Sequence, residues 1–103
     1  EIILVGWGST AGAVKEAVDR LRAAGIDAGS LHFVDLWPFP ADATAKALGK
    51  GQRFFVVEQN SSAQFGQLIR EQTGLVYSGA ILKYDGRPFY PVEIVDGVKT
   101  YVR

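Results

Sequence analysis

The chain has 103 residues, no cysteine, one histidine, and 11 basic against 11 acidic side chains, so its formal net charge is zero. This length fits one domain with a modest core, and the balanced charge leaves no basic or acidic face for nucleic acid or a membrane surface. Without cysteine, the chain cannot form disulfides or cysteine-ligated iron–sulfur and zinc sites, and one histidine cannot build a multi-histidine cluster. We therefore predict no metal site, no nucleic-acid partner and no membrane partner. The lack of cysteine fits a reducing compartment and favours a cytoplasmic protein.

The first half of the chain alternates strand and helix patterns. Residues 2–5 are continuously apolar, as in a strand covered on both faces, and an apolar stripe at helical spacing follows over residues 13–24. Gly25 is placed to end that helix. A second strand is predicted over residues 30–36, ending at the rigid sequence Trp37-Pro38-Phe39-Pro40, where prolines remove ladder hydrogen bonds.

The middle of the chain continues this alternation. Residues 41–48 form an alanine-rich helical pattern, and residues 54–58 (FFVVE) form a third, almost wholly apolar strand. Ser61 with Gln64 three residues later fits a capping box at the start of the next helix.

The last part of the chain has a different pattern. Residues 75–77 and 80–84 are short extended candidates, residues 85–88 (DGRP) indicate a turn, and residues 91–93 can start a final helix. Three strand–helix alternations with short connections predict an α/β layer fold, with a mainly parallel sheet and helices on both faces.

The glycine-rich turn after the first strand allows two interpretations. The stretch from Gly6 to Gly12 has the spacing G-x-G-x-x-x-G between a strand and a helix, which is the context of a phosphate cradle. Its candidate binding residues are Gly8, Ser9 and Thr10. The spacing is one residue too long for the dinucleotide fingerprint, and no acidic residue ends the second strand at the ribose position. We therefore favour glycines that only relieve a strand-to-helix turn.

Ligands of open α/β sheets bind outside the carboxyl ends of the strands. Glu58 and Asn60 leave a very apolar strand together, which suggests a specific hydrogen-bonding role. The alternative is that Asn60 or Ser61 caps the following helix while Glu58 meets solvent or orients a loop. Asp35 lies far from Glu58 in sequence and the sequence does not give the strand order, so a paired-carboxylate site cannot be argued from it. His32 fits a face-lining or hydrogen-bonded strand residue better than a catalytic one.

Aromatic residues next to prolines lie in two connections and are typical anchors of protein interfaces, although a core role fits them equally. The interface candidates are Trp37, Pro38, Phe39, Glu58, Asn60, Gln64, Arg87 and Phe89. A further alternative is that Lys83 and Arg87 meet the phosphate charges of a ligand, against the simpler interpretation of solvated surface charges.

Several stretches, in the order in which they occur along the chain, resemble one family. They are VGWGSTAGAVKEAVDRLRAAGI, LWPFP, FFVVEQN followed by QFGQLIREQTG, and ILKYDGRPFYPVEI. Over residues 2–95 the chain resembles the C-terminal part of the alpha subunit of 2-oxoacid:ferredoxin oxidoreductases, especially the 2-oxoglutarate type. The resemblance implies a transketolase C-terminal-like domain, which is a three-layer α/β/α sandwich with a five-stranded, mostly parallel but mixed sheet.

The resemblance also implies what the domain does and what it lacks. Residues 1–103, which begin without methionine, are expected to be one such domain excised from a larger subunit. The whole enzyme uses thiamine diphosphate with magnesium, iron–sulfur clusters and coenzyme A, and the resemblance implies that other domains or subunits hold them. We therefore expect no catalytic residue and no cofactor here. The implied partners are the remaining alpha domains, the beta subunit and ferredoxin.

Two points stay open at this stage. Either Gln64 or Gln67 can hold the glutamine position of the family motif, because NSSAQFGQ is spaced differently from the family pattern. The alternative function is a stand-alone nucleotide- or phosphate-binding module that uses the turn from Gly6 to Gly12.

Overall fold

The computed structural model describes residues 2–34, 39–49 and 53–101. The predictions made for Asp35, Leu36, Trp37 and Pro38 lie outside these residues. The strands are β1 (Ile2–Trp7), β2 (Ala28–Phe33), β3 (Arg53–Glu58) and β4 (Gly79–Leu82). The helices are α1 (Ala11–Ala23), α2 (Ala41–Leu48), α3 (Gln64–Thr73) and α4 (Pro91–Tyr101).

The strands form one sheet in the order β2-β1-β3-β4. All three pairings are parallel, with Leu4 of β1 opposite Ser30 of β2 and Phe55 of β3, and Val56 of β3 opposite Ala80 of β4. The mainly parallel sheet is confirmed. The described residues contain four strands rather than the predicted five, and none of them is antiparallel.

Helices cover both faces of the sheet and give the predicted three layers. Successive strand residues point to opposite faces, so Phe55 and Val57 join the core beneath α1 and α4, whereas Phe54 and Val56 join the core beneath α2 and α3. Burying an aliphatic or aromatic side chain of this size contributes about 1.5–3 kcal/mol. Burial on two faces explains why the strands are apolar runs instead of alternating patterns.

Two predicted element boundaries are wrong. Residues 75–77 do not form a strand, because the Tyr77 ring packs over Gly66 of α3 instead. The strand predicted over residues 80–84 begins at Gly79 and already ends at Leu82. The helix predicted to start at residues 91–93 begins at Pro91 as expected and continues to Tyr101. Within the described residues, no helix combines the length and the apolar character needed to cross a lipid bilayer.

Candidate functional site

The candidate site is the crevice at the carboxyl ends of β1 and β3. From β1 the chain runs to β2 on one side of the crevice, and from β3 it runs to β4 on the other side. The loops after β1 and β3 therefore leave the crevice in opposite directions. Such a switch point is where open α/β sheets place ligands. A cavity of about 210 Å³ lies there, and its lining residues are Trp7, Gly8, Ser9, Thr10, Gln59 and Asn60.

The glycine-rich turn is shaped by contacts within the turn itself. Gly8 begins a single 3₁₀ turn (Gly8–Thr10) with φ of +67°, a left-handed conformation that glycine adopts without strain. A Cβ at Gly6 would lie 2.7 Å from Thr10 Oγ1, and that hydroxyl donates a hydrogen bond of 3.0 Å to the Trp7 carbonyl. No atom lies within 4 Å of a Cβ built at Gly12. Gly6 and Gly8 therefore have roles in the packing and the backbone conformation of the turn, whereas no contact among the described residues requires a glycine at position 12.

Gln59 joins the loops that border the crevice. The Ser9 hydroxyl donates to Gln59 Oε1 at 3.1 Å, and Gln59 Nε2 donates to the Arg87 carbonyl at 3.1 Å. One side-chain amide thus links the ends of β1 and β3 to the loop after β4. The sequence places Gln59 directly after a buried strand, at the edge where ligands of such sheets bind, but no motif indicates its two contacts.

Glu58 is the most completely buried charged residue of the site, with 1% of its surface exposed. Its Oε1 accepts hydrogen bonds from the Phe65 backbone N–H at 2.7 Å and from Asn60 Nδ2 at 2.8 Å. Its Oε2 accepts from the Gly66 N–H at 2.9 Å. The side chain therefore caps the N-terminus of α3, where free N–H groups and the helix dipole attract negative charge. Of the two interpretations offered for Glu58, the structure shows the specific hydrogen bonds, and a solvent-facing side chain is wrong.

The predicted capping box at Ser61 is wrong. Ala63 occupies the cap position with a left-handed φ of 52° and makes no side-chain cap bond. Asn60 Oδ1 instead accepts from the Ser62 N–H at 3.1 Å and, more weakly, from the Gln64 N–H at 3.4 Å. The left-handed residue turns the chain so that the first N–H groups of α3 face Glu58.

Two ion pairs hold the loop between β4 and α4, one of them to α4 and the other within the loop. Lys83 Nζ contacts both Glu93 oxygens at 2.8 and 3.0 Å, and its side chain is only 10% exposed, so it is not the solvated surface charge that was one alternative. The hydrogen bond from Lys83 lowers the pKa of Glu93, helped by the Tyr90 backbone N–H. The backbone N–H of Arg87 is the main cause of the lowered pKa of Asp85, whose carboxylate also pairs with the Arg87 guanidinium at 2.9 Å.

The remaining interface candidates are spread over the molecule. Phe89 is 7% exposed and, like Glu58, is buried within the domain. The prediction that these two side chains belong to an interface is therefore wrong. Phe39 is half-buried and stacks on Phe33 with ring centroids 5.7 Å apart. Gln64 and Arg87 are exposed.

His32 lies within β2, opposite Gly6. Its buried Nδ1 has no hydrogen-bond partner among the described residues. In the same part of the chain, no three histidine, aspartate or glutamate side chains come close enough together to hold a metal ion.

The fold and the crevice define a three-layer α/β domain whose polar groups at the switch point bond mainly to one another. The family model described as pyruvate:ferredoxin oxidoreductase core domain II matches residues 1–94. The chain therefore belongs to this domain family.

Relatives place the domain within longer chains. The alpha subunit of 2-oxoacid:ferredoxin oxidoreductase 1 from Aeropyrum pernix is 38% identical over 105 residues, which cover all of this chain and 16% of the relative. The solved 2-oxoglutarate:ferredoxin oxidoreductase from Magnetococcus marinus, with 2-oxoglutarate, coenzyme A and succinyl-CoA bound, is 30% identical with a TM-score of 0.90, covering 100% of this chain and 18% of that one. The chain thus spans about a sixth of the length of the curated relatives it matches.

A shorter solved chain shares the same domain. The alpha chain of a probable 2-oxoacid ferredoxin oxidoreductase from Thermoplasma acidophilum is 33% identical with a TM-score of 0.63, and the match covers 96% of this chain and 85% of that one. A chain little longer than this domain therefore forms an ordered structure.

Proposed function

We propose that this chain is an assembly domain of the alpha subunit of a 2-oxoacid:ferredoxin oxidoreductase and that it contributes contact surface rather than catalytic groups. The observation that carries the proposal is the closed network at the switch point. Ser9 and Gln59 bond to each other, and Glu58 is buried beneath α3 with both oxygens accepting N–H bonds. Among the described residues of the crevice, these polar side chains are thus engaged in hydrogen bonds within the domain, which supports a contact role over a catalytic one.

In this proposal the whole enzyme oxidatively decarboxylates a 2-oxoacid, forms acyl-CoA and CO₂, and passes the electrons to ferredoxin in the cytoplasm. We favour 2-oxoglutarate as the substrate, because the Magnetococcus relative is a 2-oxoglutarate enzyme. Thiamine diphosphate with magnesium, the iron–sulfur clusters and coenzyme A are assigned to other domains or to the beta subunit. The composition supports this assignment, since 103 residues without cysteine cannot supply thiolate ligands to a cluster.

The assembly role is tested by destabilising this domain mildly within the complete alpha–beta enzyme. Glu58→Gln lowers the melting temperature of the domain without touching any group assigned to catalysis. We expect the temperature at which the subunits separate, followed by native mass spectrometry, to fall with it. Below that temperature, the rate of ferredoxin reduction should stay within about twofold of wild type, since no transition-state contact is lost. Subunits that stay together while this domain melts would contradict the proposal.

The second candidate, a nucleotide- or phosphate-binding module at Gly6 to Gly12, predicts that an adenine nucleotide or a flavin raises the melting temperature by mass action. Gly8→Val should abolish that rise, and Gly25→Val serves as the matched control, because Gly25 also has a left-handed φ and open space beside it but lies outside the turn. No shift at millimolar ligand eliminates this candidate, whereas a shift that Gly8→Val removes would replace the assembly proposal.

A further inference from the structure

We draw no further inference here: the strongest candidate, the groove of about 520 Å³ between α1 and the outer edge of β2, which is lined by Lys15, Asp19, Arg22, Ser30 and His32, carries no proposal because no contact among the described residues shows what covers it.

Discussion

Replacing Glu58 with alanine tests the buried cap at the end of β3. The substitution leaves three donors without their acceptor, namely the N–H groups of Phe65 and Gly66 and the Nδ2 group of Asn60. Two of these bonds are buried, and a buried donor that loses its partner destabilises a protein by about 1–3 kcal/mol. The lost interaction with the α3 dipole adds up to about 2 kcal/mol in buried geometries.

The sum predicts that Glu58→Ala lowers the free energy of unfolding by about 4 kcal/mol. This is a large share of the about 5–15 kcal/mol of a typical domain. Glu58→Gln keeps the shape and one oxygen acceptor, so we expect about half of that loss. At about 4–8 °C per kcal/mol for a domain near this size, the glutamine variant should melt about 10–15 °C below wild type.

Urea unfolding of the 103-residue chain, followed by circular dichroism, measures these differences. Glu71→Ala is the control, because Glu71 is exposed near the end of α3 and should change stability by less than about 0.5 kcal/mol. If Glu58→Ala unfolds within about 1 kcal/mol of wild type, the N–H groups of α3 do not depend on this carboxylate and the interpretation fails.

Three further outcomes follow from the same contacts. Gly12→Ala should raise stability by about 0.5–1 kcal/mol, because the helix gains propensity and no atom lies within 4 Å of the new methyl group; a fall in melting temperature would show that the space is occupied. Gly66→Ala should destabilise α3 despite its better propensity, because the new Cβ would lie 2.6 Å from the Tyr77 ring. Tyr77→Ala should relieve this clash in a double-mutant cycle, so additive effects would refute the contact. The pKa of Glu93 is lowered below its usual 4.5, so the stabilisation from Lys83 is complete above that pH and is lost as pH falls through the lowered value. Wild type should therefore lose more stability than Glu93→Gln on acidification below pH 4.5. Equal losses in the free energy of unfolding of the two proteins would show that the Lys83–Glu93 pair does not stabilise the domain.

Much of the fold could be predicted because its determinants are local. Residues 2–5 and 54–58 are apolar throughout, as strands buried on both faces must be, and the observed strands extend these ranges by at most two residues. Gly25 and Gly74 adopt the left-handed conformation expected of glycines that end helices.

The contacts inside the site could not be predicted from the sequence in the same way. A helix cap is sought in the residue just before the helix, whereas α3 is capped by Glu58, six residues before its first residue, through a turn that depends on a left-handed alanine at position 63. The strand predicted at residues 75–77 fails for a similar reason. Its aromatic residue is used to cover Gly66, and no local pattern indicates that contact.

Steady-state kinetics of the complete enzyme carrying Ser9→Ala together with Gln59→Ala test the central claim most directly. These changes remove the hydrogen bonds that join the loops of the crevice and leave the buried cap at Glu58 intact. If the crevice has no ligand, kcat and the KM values for the 2-oxoacid and for coenzyme A should all stay within about twofold of wild type. A rise of about tenfold or more in one of these KM values, in an enzyme that remains fully assembled, would place a ligand in the crevice and contradict the claim.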